Sequence, residues 1–403
     1  MGHSGTSQSV RVAVAAIFLS APKDRACDPV DTFQDSLHSL MSDLQSNPAA
    51  RWKRKLAAYL HDPPSKCLDI GTHEEHAKSL FRQAGFDAEE SGNYAKHFAQ
   101  PSDWTAAAAD RLPFPRSTAA GMSCHFDGYR SQFHHALGGR DGPAVFQFHA
   151  PFTSVEVARE TDQDVQPVLS EESLARLKDD AWRARFFAHW RLWARHCIAK
   201  DYRFAFLPAD TRIPDHTVWT HMQVVAALDG CADAPGKDAV LKPAFLKFQI
   251  GPVQEFIAAA RSIRDLWSGS YLLSWLMAAG LKALSAKSGP DAVIFPNLRE
   301  QPLFDLHWRD ELWSQVNIGS KTAWDALQWS EQELLTPNLP NVSLAIVPAN
   351  QANELAEQVK TAIQAEWKRI AEAVWSMCQQ AGLTADEVDF TAAERRARFD
   401  TQV

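Results

Sequence analysis

Apolar residues recur at helical spacing through most of the first half of the chain, and the pattern changes beyond residue 243. Residues 52–60, 73–84, 102–111, 170–198 and 217–229 carry the three- and four-residue recurrence of helices packed on one side. The interval 112–169 is rich in Pro, Gly and His and reads as loops with short extended pieces. Residues 230–243 (GCADAPGKDAVLKP) read as a linker. Leu246, Phe248 and Ile250 then alternate with Phe245, Lys247 and Gln249, which predicts a strand. Gly251-Pro252 closes it, and Pro252 suits the first turn of a following helix. Val253, Phe256, Ile257, Ala260 and Ile263 recur at helical spacing, and a second apolar helical run covers Leu272 to Leu284. Two further strands are predicted at 293–296 and 343–348, and a long amphipathic helix at 351–381. Strand, helix, strand, strand, helix is most of a ferredoxin-like βαββαβ unit, without an evident final strand.

The expected fold class is therefore α+β. A mostly helical domain at 51–230 and a linker at 231–243 precede an incomplete α/β domain at 244–403. At 403 residues the chain is long enough for two or three domains. An apolar fraction of 45% and a charged fraction of 22% are those of a soluble globular protein. No run reaches the roughly 20 apolar residues of a membrane span. The stretch 12–21 (VAVAAIFLSA) only weakly resembles a signal-peptide core, and residues 1–50 read as a flexible extension. A net charge of −8 argues against a generic nucleic-acid coat but leaves room for a local basic groove. The six cysteines form no CxxC pair, which argues against a structural zinc site and for free thiols in the cytoplasm.

The segment His61-Asp62-Pro63-Pro64-Ser65-Lys66 is the most informative motif. Adjacent His and Asp at a helix end can place an imidazole nitrogen and a carboxylate oxygen on one divalent metal. The prolines stop the helix just after the pair. Lys66 lies one short turn on, where it can meet a phosphate. His73 and His76 share a helix face and either can add a nitrogen ligand; the plainer reading is a solvated charged face. Asp103 and Asp110, seven apart, also share a face. One can be a metal carboxylate and the other an Arg-paired acid, or both can be helix-terminal acids. Asp215 and Thr217 are possible N-caps for a helix carrying His221, which is a structural histidine or a ligand. The helix around 182–195 mixes Arg with Phe186, Trp190 and Trp193, a mixture that can clamp single strands but more often is core.

In order, HDPPSK, SDWTAAAADR, LPADTRIPDHTVWTHMQVVAAL, KFQIGPVQEFIAAARSIRDLWSGSYLLSWL and LPNVSLAIVPA closely resemble the large subunit of type III-B (Cmr-type) CRISPR effector complexes. The resemblance covers about residues 51–403, and 247–276 is its most specific part. It implies a circularly permuted HD phosphohydrolase-like domain followed by the first of two palm (cyclase-like) domains. It implies His61, Asp62, His76, Asp103 and His221 as ligands for Mn²⁺, Ni²⁺ or Mg²⁺, with His61, Asp62 and Lys66 as the catalytic group and single-stranded DNA as substrate. The segment with Arg261, Arg264, Ser268 and Ser270 can line an ATP site between palms, and packing of palm helices accounts for it equally well. The expected partners are other Cmr-type subunits, crRNA and target RNA, with no membrane. The Gly-Gly-Asp-Asp turn of the family's catalytic palm and its zinc-binding cysteines have no counterpart here. Synthesis of cyclic oligoadenylate by this chain alone is therefore not expected. The alternative is a scaffold with an inactive HD site that docks crRNA and partner subunits.

Overall fold

The computed structural model describes residues 9–16, 47–68, 72–94, 99–111, 132–134, 144–147, 155–209, 216–234, 236–383 and 391–401. The first long helix, α1 (Pro48–Leu60), opens where Asn47 accepts a hydrogen bond from the Ala50 N–H and Pro48 takes the first turn. It ends before Pro63-Pro64, which cannot continue it, and a 3-10 turn at Pro64–Leu68 follows. Helices α2 (His73–Gln83), α3 (Gln100–Arg111) and α4 (Val155–Asp164) come next. Helix α4 falls inside the interval expected to be loops. Only Ala158 and Asp162 of it are buried, so it carries almost no apolar stripe to read.

Ala181–Ala188, a π turn at His189–Trp193 and Ala194–Lys200 run on as one helix, α5. Phe186, Trp190 and Trp193 are fully buried, so this aromatic face is core rather than a nucleic-acid surface. Helix α6 (Val218–Asp229) starts where Thr217 accepts from the Thr220 N–H. It packs antiparallel to α1. Arg54 of α1 forms a paired ionic contact with Asp229, its Nε 2.9 Å from Oδ2 and its Nη2 3.2 Å from Oδ1. The Lys55 ammonium donates to the Ala226 carbonyl at 3.1 Å.

Four strands form one sheet: β1 (Ser9–Ala16), β2 (Pro243–Gly251), β3 (Val293–Phe295) and β4 (Val342–Pro348). Their order is β1-β2-β4-β3 and every neighbouring pair is antiparallel. Leu246, Phe248 and Ile250 of β2 are buried while Lys247 and Gln249 are exposed, the alternation that the sequence carries. Helices α7 (Ile263–Ser288), α8 (Pro302–Trp308) and α9 (Ala352–Gln380) complete this part. A side chain at Gly280 of α7 would come 2.9 Å from Ile363 of α9, so the glycine allows the two helices their close approach.

Two expectations are corrected. Residues 9–16 are not a flexible extension: they pair along β2, with Val12 opposite Phe248 and Val14 opposite Leu246. They fill the position that the last strand of a βαββαβ unit would occupy, so the missing fourth strand comes from the N-terminus. Nor is 231–243 a loose connection. Ala232 bridges to Leu241, and the Lys242 N–H donates to the Cys231 carbonyl, folding the segment back on itself. Across it lie two buried ion pairs, Lys55–Asp291 at 2.7 Å and Arg191–Asp305 at 2.8 Å. One continuous apolar core runs through both segments. No helix among the described residues is long and apolar enough to cross a membrane.

Candidate metal centre

His61 and Asp62 stand at the C-terminal end of α1, Asp103 on α3 and His221 in the first turns of α6. These distant segments bring two imidazole nitrogens and two carboxylate oxygens within 4.8 Å of one another. His61 Nδ1 donates to the Ala58 carbonyl at 2.8 Å, one helical turn back. That bond fixes the ring and turns Nε2 toward the acids, 3.5 Å from Asp62 Oδ2 and 3.7 Å from Asp103 Oδ1. His61 Nε2 is buried and makes no hydrogen bond. His221 Nε2 lies 2.9 Å from Asp103 Oδ1 and 3.4 Å from Asp62 Oδ2. The Lys66 ammonium reaches Asp62 Oδ2 at 2.6 Å.

Burial would raise the Asp62 carboxyl. The facing His61 and Lys66, with the hydrogen bond from His221, hold it well below the usual carboxylate range. Burial is likewise outweighed at Asp103, where the hydrogen bond from His221 keeps the carboxyl ionised. His221 shows the reciprocal effect. Burial opposes its charge, but Asp103 and Asp62 raise it to about 9, so without a metal it is an imidazolium between two carboxylates. The donor set fits a divalent ion. Two carboxylates and two imidazoles suit Mn²⁺, Ni²⁺ or a similar ion, and the orphaned His61 nitrogen faces the point the other donors share.

His76 does not join this group. It is buried on α2, and its Nε2 donates to Asp162 Oδ1 of α4 at 2.6 Å. Asp162 is itself fully buried, and burial pushes its carboxyl up. A ligand role for His76 is therefore replaced by a helix-to-helix hydrogen bond. No sequence signal marks Asp162, an acid in a polar stretch. Asp110 lies in α3, with its side chain outside the described residues. His216, not among the expected site residues, has a half-buried ring whose centroid lies 5.9 Å from that of His221. Its position five residues before His221 is the one available signal.

The expected nucleotide contacts lie elsewhere, at the exposed start of α7. Arg261 is paired with Asp265 there, the Ser270 hydroxyl donates to the Leu266 carbonyl, and Arg264 and Ser268 are exposed. Ile263, Leu266 and Trp267 are exposed beside them.

Residues 245–372 match the family described as CRISPR-associated protein Cmr2, N-terminal. The chain is similar to the CRISPR system Cmr subunit Cmr2 of Pyrococcus furiosus, at 29% identity over 349 residues, covering 77% of this chain and 37% of that protein. It is also similar to the CRISPR system CMR subunit Cmr2 of Saccharolobus solfataricus, at 32% identity over 112 residues, covering 28% of this chain and 10% of that protein. Among solved structures, a chain of the type III-B Cmr-beta complex bound to cognate target RNA aligns with a TM-score of 0.41 and 16% identity. It covers 82% of this chain and 33% of that one. The chain thus spans little more than a third of its longer-matching curated relative. The resemblance read from its motifs holds: it is similar to the large subunit of Cmr-type complexes.

Proposed function

We propose that this chain is part of the large subunit of a type III-B RNA-guided effector complex. We further propose that His61, Asp62, Asp103 and His221 hold a divalent ion for hydrolysis of phosphodiester bonds in single-stranded DNA. The observation that carries the reading is the convergence of four ligand atoms from three distant segments, one of them a buried imidazole nitrogen with no hydrogen bond. When bound, the ion would supply Lewis acidity toward a phosphoryl oxygen and a water nucleophile at neutral pH.

The protein's own residues have separable tasks. The Ala58 carbonyl holds His61 in the tautomer that presents Nε2. Asp62 is the buried anchor, with its side chain 3% exposed, while that of Asp103 is 26% exposed and marks the side from which a strand approaches. Lys66, at the rim, neutralises Asp62 and is the cation placed to meet a phosphate. The Arg261, Arg264, Ser268 and Ser270 segment, in the region read as the first palm, is proposed to face ATP. Other Cmr-type subunits, crRNA and target RNA are the proposed partners, in the cytoplasm.

A scaffold role is the second reading. It is favoured by the Lys66 ammonium and the His221 imidazolium, which together already balance the two carboxylates. Incubation of the chain with end-labelled single-stranded DNA and Mn²⁺ separates the two. Cutting that needs Mn²⁺ and is lost in folded His61→Ala/Asp62→Ala supports the nuclease. Equal cutting by the double variant overturns the site, and no cutting by a chain that binds no Mn²⁺ leaves the scaffold.

A further inference from the structure

Two of the three helices that carry the metal group, α1 and α6, are held together by a residue from the other half of the chain. Asp291 lies in the turn between α7 and β3, inside the region that matches the Cmr2 family. It is fully buried. Its Oδ2 accepts from the Lys55 ammonium at 2.7 Å, and the same ammonium donates to the Ala226 carbonyl of α6 at 3.1 Å. Its backbone carbonyl and that of Val293 accept from the Gln223 amide of α6 at 3.4 and 3.1 Å. Gln223 Oε1 in turn accepts from Arg299 at 3.3 Å, and Arg299 also donates to the Trp219 carbonyl. Gly289, at φ +94°, leaves the room this needs, because a Cβ there would fall 2.1 Å from Asp291 Oδ1.

Lys55 precedes His61 by six residues, about 9 Å along α1, and Ala226 follows His221 by five, about 7.5 Å along α6. In an antiparallel pair, the contact at Lys55 therefore sits on the same side of both helices' metal-bearing ends and one to two turns below them. Gln223 is closer still, two residues from His221. A change in spacing at this level is passed to the group above by rigid helix. A metal group tolerates little of it, since ligand distances must fall within about 0.2 Å.

We propose that Asp291 is a positioning residue for the metal centre: through Lys55 and Gln223 it sets the spacing of α1 and α6, and with it the separation of His61 and Asp62 from His221. The inference rests on the metal-binding reading above. It makes the centre a property of both segments rather than of the helical one alone.

The test is Mn²⁺ titration of the full chain, followed by electron paramagnetic resonance, well below the melting temperature. The variants are Asp291→Asn, Gln223→Met and the double variant Lys55→Met/Asp291→Leu, with folding checked by circular dichroism. Asp305→Asn serves as a control, because it weakens a buried ion pair, Arg191–Asp305, on other helices. The expected result is a Mn²⁺ dissociation constant at least tenfold weaker in Asp291→Asn and Gln223→Met and unchanged in Asp305→Asn. The double variant should regain thermal stability through packing but not affinity, because the bond to Ala226 stays lost. Affinity that returns with stability, or that falls equally in Asp305→Asn, overturns the proposal in favour of a structural role. Unchanged affinity in the folded variants also overturns it. If Asp291→Asn does not fold, Gln223→Met carries the same prediction. Absence of Mn²⁺ binding by the unsubstituted chain overturns this proposal together with the metal-binding reading, which distinguishes the two failures.

Discussion

His221 Nε2 lies 2.9 Å from Asp103 Oδ1, although 118 residues separate them in sequence. In the metal-free chain that contact is an imidazolium held by a carboxylate. A metal requires the same nitrogen as a bare lone pair. Loading the centre must therefore expel a proton.

Calorimetry in buffers of different ionisation enthalpy should show release of about one proton per metal bound at pH 7. Asp62 and Asp103 are already ionised there and contribute none. Apparent affinity should climb by about tenfold per pH unit up to pH 9 and then level off. Release of no proton at pH 7 would contradict a ligand role for His221.

The same shift has a consequence for metal-free stability. His221 is raised from 6.5 to about 9 on folding. Its contribution is fully present below pH 6.5 and is lost as pH rises through 9. Denaturant unfolding in EDTA should show stability falling over pH 6.5–9 in the wild type and a smaller fall in His221→Gln. Equal slopes in both would remove the assignment.

His76→Ala and His221→Ala should behave oppositely. Removing His76 takes one hydrogen-bond partner from the buried Asp162, a loss of about 1–3 kcal/mol, yet Mn²⁺ affinity in the surviving folded fraction should hold. Removing His221 should abolish Mn²⁺ binding. Loss of affinity in folded His76→Ala would return that residue to the ligand set.

Deleting residues 1–16 should expose the β2 edge. An unpaired strand edge is a template for association between chains. Light scattering should therefore show aggregation of the shortened chain under conditions where the full chain stays dispersed. A monodisperse deletion variant would mean that β1 is dispensable.

Local patterns are legible in the sequence. Alternation marks β2, Pro63-Pro64 ends α1, and His61-Asp62 stands out as an adjacent ligand pair, while the start of α1 at Pro48 lies four residues before the expected 52. Partners distant along the chain are not legible. His76 sits on a helix face like any ligand, and only the fold reveals that Asp162, 86 residues on, takes its nitrogen. The segment Val10-Arg11-Val12-Ala13-Val14 carries strand alternation, but its neighbour β2 begins more than 200 residues later, so nothing local marks the apolar run near the start as part of a sheet. The boundary at 231–243 looked like a linker because its composition is loop-like. Lys55–Asp291, which crosses it, is two ordinary charges in the sequence.

His61, Asp62, Asp103 and His221 are proposed to form one metal site. A Mn²⁺ titration of the purified wild-type chain and of His61→Ala/Asp62→Ala, read by electron paramagnetic resonance, tests it most directly. Saturable binding by the wild type should disappear in the folded double variant. Binding of equal strength in both, or none in the folded wild type, would contradict it.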